Sequence, residues 1–219
     1  MKPLLVTLTA IGSVLFVTAI STAEDLPDGW VSLFDGKTLD GWKQLAGTAP
    51  FVVDEGTILG TTKKGSPNSF LCTEKLYDDF ELEFEVKLDP RLNSGVQIRS
   101  QSSPDYLQGR VYGYQVEIST NGNAGFIYDE GRRGWLSDVS DNQERVGNFN
   151  RNGWNQFRVV CEGPSIKVWL NGVPCADLVD DKTPKGFIGL QIHSFRGASP
   201  AWVRWRNIRI RQVSDIRFR

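Results

Sequence analysis

One histidine and three cysteines in 219 residues set the first limits. With His193 alone, a zinc centre of the usual multi-histidine kind is excluded. Cys72, Cys161 and Cys175 allow at most one disulfide, so the chain is not a disulfide scaffold. Cys161 and Cys175 are the nearer pair, across an expected hairpin, although Cys161 equally suits a buried strand position. An excess of either charge is also lacking: 25 Lys and Arg stand against 26 Asp and Glu, for a net charge of −1. There is no basic block and no RNA-binding aromatic motif, which gives no reason to expect nucleic acid or an anionic membrane as partner. A neutral ligand fits better. No glycine-rich phosphate loop follows a strand, and no Ser or Cys sits in a nucleophile elbow. No loop has the dense ligand spacing of an EF-hand, so a calcium site would have to come from scattered Asp and backbone carbonyls.

The single long apolar run is at the start. Lys2 opens a short basic segment, Leu4 to Ile20 is predominantly apolar, and Ser21-Thr22-Ala23 supplies small residues for a signal peptidase. This predicts a signal peptide over residues 1–23 and export to the periplasm or the medium. The competing reading is a membrane anchor, but Ser13, Thr18 and Ser21 dilute a run of about 17 residues that is already short for spanning. No cysteine near the cut favours a lipid anchor. The remainder, residues 24–219, is the size of one sandwich domain.

Helical periodicity is absent beyond that segment, apart from one turn near Lys75 to Asp78. Period-two patterns take its place. In Phe80 to Leu88, Phe80, Leu82, Phe84, Val86 and Leu88 alternate with Glu81, Glu83, Glu85 and Lys87, the mark of a strand with one buried face. Similar segments are expected at Trp30–Phe34, from Gly41-Trp42, and at Phe51–Asp54, Thr57–Thr61, Ser94–Gln101, Gly113–Ser119, Ala124–Tyr128, Trp154–Cys161, Ile166–Leu170, Val173–Leu178, Phe187–Ser194 and Trp202–Val213. Glu55-Gly56 and Asn171-Gly172 read as tight hairpin turns. Residues 122–152, rich in Gly, Asn, Asp and Arg, read as a long loop of the functional or mobile kind. About a dozen short strands with no helix to cover a sheet predict an all-β jelly-roll sandwich.

Three of these strands place polar pairs where a buried sheet would have none: Gln97 with Arg99, Gln115 with Glu117, and Gln191 with His193. A spacing of two puts each pair on one face, opposite Val96, Ile98, Val116, Ile118, Leu190 and Ile192. If the strands share a sheet, six side chains line one surface. Amide, guanidinium, carboxylate and imidazole groups together suit the hydroxyls of a sugar. The plainer alternative is a solvated outer face. Tyr128 and Trp135, with Arg132 and Arg133 between them, add rings that stack on a pyranose. The other tryptophans, Trp30, Trp42, Trp154, Trp169, Trp202 and Trp205, are assigned to the core. Glu81, Glu83 and Glu85 have the spacing of a retaining glycosidase pair, but with Lys87 on the same face they read better as a solvated surface.

Trp30 to Trp42 (WVSLFDGKTLDGW), Asn93-Ser94-Gly95-Val96, Gly113-Tyr114-Gln115-Val116-Glu117-Ile118, and Gly189-Leu190-Gln191-Ile192-His193 with Arg206-Asn207-Ile208 resemble, in that order, the 3-keto-disaccharide hydrolase domain family. The resemblance runs from about Trp30 to Arg211. It implies a concanavalin A-like lectin/glucanase jelly roll, export, and action on glycosides already oxidised at C3 by a partner oxidoreductase. Under that reading Glu117 or His193 is the base, Arg99 stabilises an enolate, and the other of the first two or Tyr128 is the acid. Gln97, Gln115, Gln191, Tyr128, Trp135 and Arg133 bind the sugar. No cofactor is evident, and the resemblance leaves a divalent metal open. A lectin-like module without catalysis is the main alternative, and a structural surface protein a further one.

Overall fold

The computed structural model describes residues 26–137 and 149–213; the expected signal peptide and part of the long loop lie outside them. Alternation does what it predicts at the centre of the fold. Phe80–Leu88 (β6) turns its Phe, Leu and Val side chains inward and its Glu and Lys outward. It lies between Asn155–Glu162 (β11) and Trp202–Gln212 (β15). Ser165–Leu170 (β12) and Val173–Val179 (β13) extend this first sheet on one side. Thr57–Thr61 (β4) and Phe51–Asp54 (β3) extend it on the other, and Val31–Ser32 (β1) also pairs with β15. The hairpin turns fall at Glu55-Gly56 and Asn171-Gly172, where all four residues have positive φ, as tight primed turns require.

The second sheet runs Gly134–Trp135 (β10), Ile127–Glu130 (β9), Val111–Ile118 (β8), Ser94–Ser102 (β7), Phe187–Ile192 (β14), Ser69–Thr73 (β5) and Trp42–Leu45 (β2). Every pairing in both sheets is antiparallel. The result is the expected jelly-roll sandwich. Its core lies between the sheets, where Val96, Ile98, Val116, Ile118, Leu190 and Ile192 join Leu82, Phe84, Val159, Val203 and Trp205. Phe84 stacks on Phe157 with ring centroids 5.0 Å apart. Fully burying one such side chain stabilises the fold by about 2 kcal/mol.

Several local expectations are corrected. Lys75 to Asp78 forms no helical turn; Tyr77 bridges to Gly186 instead, and a short 3-10 turn lies at Leu107–Gly109, where all three residues have positive φ. Cys161 and Cys175 are not joined by a disulfide. They lie on β11 and β13 with β12 between them, two strand spacings of about 4.8 Å apart, beyond the reach of a disulfide. Burial pushes the Cys161 thiol up to about 12 and the Cys72 thiol higher still. An alkylating reagent should therefore label neither Cys72 nor Cys161 in the native protein and both after denaturation, read by mass spectrometry of the digest; labelling of either in the folded state would contradict this packing.

Four of the six tryptophans assigned to the core are not there. Trp42 and Trp205 are buried, but Trp30, Trp154, Trp169 and Trp202 are half-buried on the outer face of the first sheet. Three of them carry guanidinium groups: Arg206 lies 4.0 Å over Trp154, Arg158 lies 4.6 Å over Trp169, and Arg209 and Arg211 are each 5.0 Å from Trp30. The same arginines bind the glutamates of β6. Arg206 pairs with Glu85 at 2.8 Å, Arg209 with Glu83 at 2.6 Å, and Arg211 and Arg158 both with Glu81. These acids are neither a bare solvated face nor an open catalytic pair. They form a cross-strand ion-pair ladder, worth a fraction of a kcal/mol per exposed pair.

Candidate active site on the outer face of the second sheet

Register decides which polar side chains meet. Gln97 on β7 lies opposite Gln115 on β8, which lies opposite Tyr128 on β9, which lies opposite Trp135 on β10. In the next row Gln191 on β14 faces Gly95, and Gly95 faces Glu117. All of these point away from the core, because Val96 and Val116 between them point in. Gln97, Gln115, Gln191, Glu117, Tyr128 and Trp135 therefore share one surface. A Cβ on Gly95 would come within 2.4 Å of the Gln115 side chain; the glycine is what lets Gln115 lean across the sheet.

The amides form a directed chain. The Ser100 hydroxyl donates to Gln97 Oε1 at 2.8 Å, Gln97 Nε2 donates to Gln115 Oε1 at 2.7 Å, and Gln115 Nε2 donates to Glu117 Oε2 at 3.1 Å. Asn93 Nδ2 donates to the other carboxylate oxygen, Glu117 Oε1. Both donors favour the charged carboxylate, yet Glu117 is only 3% exposed, and burial prevails. It lifts the Glu117 pKa to about 7, with the nearby Glu130 carboxylate adding to the rise. This is the range of a general base working near neutrality. The Oδ1 atom of Asn93 is buried without a partner, so a flipped Asn93 amide would accept the proton of a neutral Glu117. Gln191 is fully buried, and neither its Nε2 nor its Oε1 has a partner.

His193 follows the last residue of β14. Ser94 pairs with Ile192, so continuing the ladder by one residue sets His193 opposite Asn93. Its Nδ1 lies 2.8 Å from the Ser194 carbonyl. A carbonyl can only accept, so Nδ1 carries the proton and Nε2 presents a lone pair.

Arg99 does not join this surface. A bulge in β7, with Arg99 at φ +46°, breaks the alternation after Ile98. Ser100 is thereby placed against Gln97, and Arg99 is sent between the sheets. There the guanidinium, 1% exposed, donates to the Asp78 carbonyl at 2.6 Å, the Gly163 carbonyl at 2.7 Å and the Asp79 carboxylate at 2.8 Å. A group so engaged cannot stabilise an enolate on the outer face. Arg133 is likewise occupied, held by Asp129 and by Asp180 at 2.8 and 3.1 Å. That pairing raises the Arg133 pKa and lowers Asp180 to about 2. Arg133 braces the loop rather than offering its donors to a sugar. Tyr128 and Trp135 do form a wall, with rings 5.1 Å apart at 74° and Trp135 39% exposed.

Asn93 and Glu130 were not singled out from sequence as site residues, although the period of two was there to be read. Asn93, Gly95 and Gln97 are successive outward positions, as are Tyr128 and Glu130. Glu130 is buried against Arg110 at 2.5 Å. Among the described residues, no three His, Cys, Asp or Glu side chains are grouped to hold a metal ion. No helix among them is long and apolar enough to cross a membrane.

Comparison with known proteins bears on the family and the fold. A 3-keto-disaccharide hydrolase of Bacteroides thetaiotaomicron is 22% identical over 239 residues, covering 84% of this chain and 78% of that protein. The fold is similar to a Parabacteroides distasonis protein designated from inference a glycosyl hydrolase, with TM-score 0.62, 20% identity, and 84% and 94% of the two chains covered. It is also similar to the carbohydrate-binding module CBM66 from Bacillus subtilis, with TM-score 0.59, 16% identity, and 78% and 96% covered. The 3-keto-alpha-glucoside-1,2-lyase-like domain model matches residues 29–211, from just before β1 into β15. Spanning both sheets and the whole polar row, that match makes the chain a carbohydrate-active member of the 3-keto-alpha-glucoside-1,2-lyase-like domain family.

Proposed function

We propose that the chain cleaves 3-keto glycosides by elimination followed by hydration, with Glu117 as the base. The supporting observation is a buried carboxyl with a pKa of about 7, set in a row of sugar-compatible amides. A ketone at C3 acidifies the hydrogen on C2. Glu117 removes that proton, the electron pair forms an enolate, and the enolate expels the C1 substituent. The departing oxygen takes a proton from the Tyr128 hydroxyl, or from His193 once its Nε2 is also protonated, and leaves as an alcohol. Water then adds across the C1–C2 double bond, its hydrogen to C2 and its hydroxyl to C1, for a net hydrolysis. Arg99 being committed elsewhere, the enolate stabiliser in this scheme is Gln191, whose buried, unpartnered Nε2 is a donor in want of an acceptor. Gln97 and Gln115 hold the Glu117 carboxylate in place through their hydrogen-bond chain, and Tyr128 with Trp135 stacks on the ring. Export, and supply of the ketone by an oxidoreductase acting at C3, belong to the same proposal.

The test uses a 3-keto glucoside and the parent glucoside with the same aglycone, in deuterated water. The 3-keto compound should be cleaved, with solvent deuterium at C2 of the product, and the parent left intact. Cleavage of neither, with binding retained, would leave glycan recognition without turnover, the reading favoured by the likeness to a carbohydrate-binding module. Cleavage without deuterium at C2 would remove Glu117 from the role of base at C2.

A further inference from the structure

The outer face of the first sheet, on the far side of the sandwich from Glu117, holds a depression of about 670 Å3. Its floor follows the sheet register. Lys87 on β6 is opposite Arg204 on β15, which is opposite Leu59 on β4. Trp154, one residue before the Asn155 and Val86 pair, extends that row beside Lys87. Trp202 and Thr61 form the next row, and Glu55 and Thr57 line the hairpin side. Two half-buried indoles thus stand on β15 and just before β11 with β6 between, roughly 12 Å apart from two strand spacings across and two residues along.

Three cations, Lys87, Arg204 and Arg206, and one anion, Glu55, line this depression, and carboxylates just outside the lining neutralise two of the cations. Arg204 is held by Asp54 and by the Thr57 hydroxyl at 2.9 Å. Arg206 is held by Glu85 at 2.8 Å and stacks on Trp154. Lys87 has no carboxylate partner among the described residues, and the exposed Glu55 supplies one negative charge at the other end. What remains is an electrically neutral trough with aromatic faces and both donors and acceptors. A charged ligand would gain little there. Pyranose rings stack on indole through their C–H faces and engage lysine, carboxylate and threonine groups through hydroxyls.

We infer that this depression is a second glycan-binding site, taking a neutral oligosaccharide across Trp202 and Trp154. It would hold the protein on a polymer while the opposite face works on small sugars, and it does not depend on the chemistry assigned to Glu117. Affinity electrophoresis of the full chain tests it, in gels carrying soluble xylan, mixed-linkage β-glucan, galactomannan or amylopectin, with polygalacturonate as the acidic probe. At least one neutral polymer should retard the protein, and the retardation should survive high salt. Trp202→Ala should weaken it at least about fivefold, Trp202→Phe should restore most of it, and Gln191→Leu on the other face should leave it unchanged. No retardation by any neutral polymer would overturn the inference, as would salt-sensitive retardation by polygalacturonate alone, or loss through Gln191→Leu with Trp202→Ala unaffected.

Discussion

Glu117→Gln should lower turnover of a 3-keto glucoside by about 10²–10⁴-fold, the usual contribution of a general base, with little change in affinity. Glutamine keeps the volume, and the unpartnered Oδ1 of Asn93 gives the new amide an acceptor once Asn93 flips. The loss would thus report chemistry rather than a broken site. Glu83→Gln is the contrasting control. Glu83 belongs to the ladder with Arg209 on the opposite sheet, and its substitution should leave turnover intact. If Glu83→Gln abolished activity and Glu117→Gln did not, catalysis would belong to the β6 acids and the elimination scheme would fail.

The same residue gives a pH signature with a definite sign. Burial raises the Glu117 pKa from 4.5 to about 7 in the folded protein, so the native state keeps this proton to higher pH than the unfolded chain does. Its contribution to stability is fully present below about pH 4.5 and is lost as pH rises to about 7. The cost of charging is on the order of 3 kcal/mol. Wild type should lose about that much stability relative to Glu117→Gln between those limits, while kcat/KM, which needs the ionised base, should rise through the same interval. Equal pH dependence in the two proteins would mean that Glu117 is not titrating in this range.

Sequence periodicity reached the sheets further than it reached the site. β6 was legible because one of its faces is wet. β5, Ser69–Thr73, was missed because all five residues are buried, and a strand covered on both sides shows no alternation. The tryptophans misled for another reason: residue type outweighed position. Trp202 is in phase with Arg204 and Arg206, out of phase with Val203 and Trp205, and Trp169 lies between Val168 and Leu170. Alternation places both outside, where guanidinium groups give their rings partners that apolar type alone does not suggest. Within the site, the row of Gln97, Gln115, Glu117 and Gln191 followed directly from spacing. What spacing could not convey was the ladder register that opposes Gln97 to Gln115, or the bulge that takes Arg99 out of the row.

That bulge yields the largest expected effect on stability. Arg99 springs from β7 in the second sheet, and all three of its partners, Asp78, Asp79 and Gly163, belong to the end of the first. It is a staple between the sheets, and Asp79 strengthens it by also accepting from the Gly163 N–H at 2.9 Å. Arg99→Ala leaves two carbonyls without this donor and Asp79 with only the Gly163 N–H. Asp79 is 41% exposed, so water relieves part of the loss, and the cost should lie near the lower end of that for a broken buried pair, about 3 kcal/mol. In a domain of this size that lowers Tm by roughly 6–12 °C. Arg99→Lys keeps the charge but reaches only one of three directions, and should recover less than half. Turnover measured well below both melting transitions should match wild type, because the guanidinium never meets the outer face. A variant that melts like wild type but has lost turnover would return Arg99 to the reaction; one that melts early and still turns over fixes it as the clamp that holds the two sheets, and the polar row on one of them, in register.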